Sequence, residues 1–118
     1  MPKLSSVATV VALASLAAAC AQTHASTETG IPLTQYADAD GYIDVQALTC
    51  AQLADTYQED ANALAMWYSG WYNGLAKKHY VNLPRTREGL HQVILYCKAN
   101  RDKKVIEGIA FVLKNEKK

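Results

Sequence analysis

Two cysteines, Cys50 and Cys97, stand behind a stretch that reads as an export leader, and together they constrain this chain more than any other feature. The leader, residues 1–25, has Lys3 as its positive start. An apolar run from Val7 to Ala19 follows, interrupted only by Thr9 and Ser15, and small residues crowd its end. It is shorter than the roughly 20 apolar residues a spanning helix needs. Export implies an oxidising compartment, where thiols pair. About 90 residues remain after the leader, enough for one domain and too few for a large core. A covalent staple is therefore expected.

Cysteine arithmetic supports the staple. Of three cysteines, Cys20 falls within the leader, and removal or lipidation takes it out of the count. Two remain, with one possible pairing. Two unrelated buried thiols are the alternative. A cross-link closing a loop of this length contributes about 4 kcal/mol. The leader itself leaves two outcomes open. Leu16-Ala17-Ala18-Ala19-Cys20 resembles a bacterial lipoprotein lipobox, with Ala where Leu is commoner three positions before the cysteine. Cut there, Cys20 becomes a lipidated first residue and anchors the protein to the envelope. Cut later, near Ala25, it is discarded.

Residues 26–47 read as an acidic, flexible linker, holding Gly30, Pro32, Thr34 and Gly41 without a sustained apolar period. The domain proper spans 48–118. Thr49-Cys50-Ala51-Gln52 fits a capping box that opens a short helix to about Tyr57. Asp60 can cap a second helix, about 61–78. Its Leu64, Trp67, Tyr68, Trp71 and Leu75 recur at spacings of three and four. Residues 80–84 break the pattern. Thr86 can cap a third helix, about 87–99, with Leu90, Val93, Ile94 and Cys97 on one face. A fourth, about 102–114, turns Val105, Ile109, Val112 and Leu113 inward. The expected fold is all-α, a small single-domain bundle of about four helices with one disulfide.

Chemistry-bearing motifs are few. Asp38-Ala39-Asp40-Gly41-Tyr42-Ile43-Asp44 imitates part of a calcium loop, but Tyr36 and Ala47 occupy the two anchoring ligand positions. An acidic turn is the better reading, and no metal is expected. His79 and His91 are too far apart, with no companion ligand at suitable spacing. No nucleophile–base arrangement, phosphate loop or C-x-x-C redox pair exists, so no enzyme and no cofactor are expected. Gly70 and Gly74, one turn apart, would let a second helix approach closely, within the domain or across a dimer. Trp67, Tyr68, Trp71 and Tyr72 are four aromatics in six positions, too many for one narrow face. Some of them should form a client or dimer surface.

Charge is segregated. Residues 26–60 hold seven acids and no Lys or Arg; residues 61–118 hold eleven Lys/Arg and four acids. The two blocks balance at neutral pH. As carboxylates protonate below about pH 4, only the positives survive. Attraction then becomes self-repulsion, which loosens a compact or dimeric state. No nucleic-acid motif accompanies the basic block. Lys114, Lys117 and Lys118 could instead touch anionic lipid.

Three motifs occur here in a familiar order: Thr49-Cys50-Ala51-Gln52-Leu53, then Trp67-Tyr68-Ser69-Gly70-Trp71-Tyr72-Asn73-Gly74, then Tyr96-Cys97-Lys98-Ala99-Asn100. This pattern resembles the HdeA/HdeB family of bacterial periplasmic acid-stress chaperones, with an aromatic centre closer to HdeB. The resemblance implies a helical domain with one disulfide, here Cys50–Cys97, and a homodimer at neutral pH. In acid such proteins bind unfolding periplasmic proteins without ATP and limit their aggregation. Many relatives carry Pro after the closing Asn, where this chain has Arg101. The expectation is therefore an ATP-independent periplasmic chaperone, soluble or lipid-anchored. The alternatives are a periplasmic interaction protein, such as a toxin-neutralising immunity protein, or an envelope lipoprotein without chaperone activity.

Overall fold

A computed structural model describes residues 29–117. The leader, including Cys20, lies outside the described residues. Four α-helices follow in order: α1 Cys50–Asp55, α2 Gln58–Leu75, α3 Leu83–Ala99 and α4 Val105–Asn115. The described residues contain no β-strand, only two isolated bridges. The all-α expectation holds, and Cys50 and Cys97 form a disulfide.

The disulfide sits in a hub where three segments meet. Cys50 opens α1 and Cys97 lies in the last turn of α3, with Cα atoms 4.5 Å apart and no exposure to solvent. The first N–H groups of a helix lack intrahelical partners. In α1 the Thr49–Gln52 capping box forms as its spacing predicts, with both reciprocal bonds present. The α3–α4 loop supplies the rest. Cys50 N–H donates to the Lys103 carbonyl at 2.7 Å, and Ala51 N–H to that of Arg101 at 3.0 Å. Val105 N–H donates back to the Leu48 carbonyl at 2.9 Å. Leu48, Leu53, Val93 and Val105 are buried in the surrounding core.

Helix boundaries differ from the sequence reading for local reasons. Helix α2 starts earlier, at Gln58, so Asp60 lies within its first turn. The Asp60 carboxylate accepts the N–H of Leu33 instead of capping. Helix α3 also starts early, at Leu83. Asn82 caps it by accepting the Arg85 N–H, and Pro84 fits the first turn, where its missing N–H costs nothing. Because α2 also ends early, at Leu75, the expected break at 80–84 shifts and lengthens to residues 76–82. Helix α4 starts later than expected, after the 101–104 loop that serves α1. Leu113, expected inside, is exposed.

The segment read as a flexible linker packs onto the helices from Ile31 onward. Ile31 N–H donates to the Asp55 carbonyl, and the Thr56 hydroxyl donates to that of Ile31. A 3₁₀ turn, Leu33–Tyr36, follows. Leu33, Ile43 and Val45 pack against the core. The linker reading rested on missing helical periodicity, but anchorage through single apolar residues and backbone bonds leaves no periodic trace. The calcium-like stretch is a turn: the Asp38 carboxylate accepts the N–H groups of Asp40 and Tyr42, with Gly41 at φ +88°.

Helices α3 and α4 cross closely at Gly108. A Cβ there would lie 2.9 Å from a Tyr96 ring carbon, so the contact requires glycine. Gly70 and Gly74, expected to admit a neighbouring helix within the domain, have nothing within 4 Å of where their Cβ atoms would stand.

Candidate functional site

The four clustered aromatics of α2 divide by helical position. Tyr68 is 4% exposed, and its hydroxyl donates to the Val45 carbonyl, pinning the N-terminal segment to the bundle. Burial pushes its phenol well above the usual tyrosine range, so it stays a neutral donor. Tyr68 is thus a core residue rather than surface. Trp67 is 49% exposed and meets Trp71 with ring centroids 5.8 Å apart. Trp71 in turn meets Tyr72 at 5.2 Å. Trp71 and Tyr72 are half-buried against the core edge. Contacts of this kind keep the aromatic strip in fixed array. Met66 and the open Gly70 and Gly74 extend the exposed part of α2.

A second feature was not foreseen from sequence. A groove of about 170 Å³ runs between α2, α3 and α4. Leu64 and Tyr72 line it from α2, Leu90 and Val93 from α3, and Ile109 and Val112 from α4. At one end Arg85 and Glu116 face each other through two parallel bonds of 2.6 Å each. This bidentate pair ties the start of α3 to the chain just beyond α4. A second bidentate pair, Arg101–Asp55 at 2.9 and 2.7 Å, ties the α3–α4 loop to the end of α1. Arg101 thus takes a structural part. The helical rows lining the groove were visible as periodicity. The Arg85–Glu116 pair was not, because 31 positions separate its members.

Both pairs depend on pH. The hydrogen bonds from Arg85 hold the Glu116 carboxyl below its ordinary range, and those from Arg101 do the same for Asp55. A carboxyl with a depressed native value stabilises the fold above its unfolded value. That contribution is lost as pH falls through the native value. The loss therefore begins near the ordinary carboxylate range, about pH 4, and completes below it.

A family-model comparison matches residues 5–107 to the HdeA/HdeB family. The chain belongs to the HdeA/HdeB family. Comparison with curated proteins and with solved structures returns no match. HdeA/HdeB proteins are periplasmic acid-stress chaperones rather than enzymes. The match ends before Glu116, so the carboxylate that closes the groove lies outside the HdeA/HdeB-matched residues. Among the described residues no group of three or more His, Cys, Asp or Glu could hold a metal ion, and no helix is long and apolar enough to cross a membrane.

Proposed function

We propose that this chain is an ATP-independent chaperone that binds acid-unfolded periplasmic proteins and limits their aggregation. Family membership supports the class, and one structural observation carries the mechanism. An apolar groove between three helices is fastened at its end by a pair, Arg85–Glu116, that acid dissolves. Protonation of Glu116 removes the link between α3 and the end of α4, while the charge balance of the whole chain turns positive. The groove residues Leu90, Ile109 and Val112 then open toward clients. Trp67, on another side of α2, supplies separate exposed aromatic surface of the kind found at protein contacts. The Cys50–Cys97 bond does not titrate and keeps α1 and α3 together throughout.

The same reading includes a homodimer at neutral pH. The exposed strip of Met66, Trp67, Gly70 and Gly74 fits close approach of a second copy. The decisive experiment is light scattering from an acid-sensitive client at pH values between about 2 and 4.5, with and without the protein. Suppressed aggregation is expected within that range. Unchanged scattering at every pH rejects the reading.

A further inference from the structure

One end of the bundle carries a surface that the chaperone reading uses only at its Arg85–Glu116 pair. Helix α2 ends there, α3 begins there, and α4 arrives antiparallel to α3, as the Arg85–Glu116 pair shows. Six cations belong to this end: Lys77, Lys78, Arg85, Arg87, Lys114 and Lys117. Only two acids accompany them, Glu88 and Glu116. Large apolar side chains project among these charges. Tyr80 is 79% exposed and Leu75 67%, with Val81 and Leu83 about half exposed. Tyr80 stacks on His79 with centroids 4.2 Å apart, which makes a broad amphipathic tip.

The backbone at this tip is unusual. Lys78 N–H donates to the Asn73 carbonyl and Lys77 N–H to that of Gly74, which closes α2 in a Schellman motif. The motif places Lys77 at φ +56°, the left-handed position that glycine fills most cheaply. It is the one non-glycine residue with positive φ among the described residues. A lysine there is not explained by folding, since glycine would serve the turn better.

We propose that this end of the molecule docks on a bilayer of anionic phospholipid. Cations near such a surface are attracted by its potential. Apolar and tyrosyl side chains between them enter the headgroup boundary. An acidic protein surface, such as residues 38–60 of a second copy, is a poorer fit. Asp38, Asp44 and Asp60 already accept backbone N–H groups, and Asp55 is paired with Arg101. Nor would that surface take up Leu75 and Tyr80. The proposal is independent of the chaperone reading.

The test is flotation of the exported, processed protein with vesicles at neutral pH and low salt. Vesicles of phosphatidylglycerol and phosphatidylethanolamine should carry it upward, and phosphatidylcholine vesicles should not. Lys77→Gly should raise the melting temperature yet weaken vesicle affinity on the order of 5-fold, a divergence no folding defect produces. Lys77→Gly with Lys78→Gln should weaken it on the order of 30-fold. Tyr80→Ser should also reduce flotation. Equal flotation on neutral vesicles, as a lipidated Cys20 would give, overturns the proposal. So does unchanged affinity in the double variant. So does sedimentation velocity in which that variant loses lipid-free self-association while vesicle binding persists.

Discussion

The two ends of α3 are fastened by different chemistry. At its C-terminal end, Cys97 is bonded to Cys50, and backbone bonds from the 101–104 loop cap α1. None of those links gains or loses a proton in acid. At its N-terminal end, Arg85 holds Glu116 through a half-exposed ion pair that exists only while the carboxyl is charged. Exposed pairs contribute modestly at best. The difference teaches where acid acts: it releases the Arg85–Glu116 pair at the groove end and the Arg101–Asp55 pair at the hub, but the hub stays closed through its disulfide and backbone bonds. A chain so arranged can expose apolar surface without losing the register it needs to close again.

The comparison breaks most visibly at the hub. Replacing Cys50 and Cys97 together by serine removes the cross-link, and urea unfolding at neutral pH should show a loss of about 4 kcal/mol. A loss under about 1 kcal/mol would mean that the backbone bonds alone hold the hub. The next effect in size lies between the ends. Tyr68→Phe strips the bond to Val45 and should cost about 1–2 kcal/mol by the same measurement. Hydrogen exchange should speed up in residues 31–47 before it does in α3.

Smaller changes sharpen the contrast. Lys77→Gly relieves the left-handed backbone and should stabilise the fold by about 1 kcal/mol, read as a higher urea midpoint. Glu116→Gln should have the least effect at neutral pH, yet it decides the comparison. The native protein loses the Glu116 contribution as pH falls from about 4 through the depressed native value of that carboxyl. The variant lacks the titrating group, so protection of α4 amides, corrected for the slower intrinsic exchange in acid, should be slightly lower at pH 7 and fall less as pH drops. If α4 exchange in Glu116→Gln tracks the parent across this range, the pair is not the acid-sensitive link.

The sequence made the hub legible and the groove end opaque, for physical reasons. Cysteine count and the Thr49–Gln52 spacing are local or arithmetic signals, and both survive in the structure. The helices were readable because burial of Leu64, Val93 and Val105 follows the helical period. Starts were misread where two capping residues compete: Asn82 outcompetes Thr86 because Pro84 is tolerated in a first turn. The aromatic cluster was sorted only by geometry, which sends Tyr68 inward and leaves Trp67 out. The long-range partners Tyr68–Val45, Arg101–Asp55 and Arg85–Glu116 leave no mark on local pattern. The close approach went to Gly108 rather than Gly70 or Gly74, because a glycine's spacing says nothing about which side has a neighbour.

The six residues of α1 are too few to hold a helix in water by themselves. Two of its opening N–H groups are completed by carbonyls of Arg101 and Lys103, some fifty positions downstream. During synthesis in the N-to-C direction, α1 therefore emerges as an unfinished element. It has to wait until α2, α3 and the following loop have all been made. The order of synthesis is the reverse of the order of dependence, and the first helix of this domain is among the last that can form.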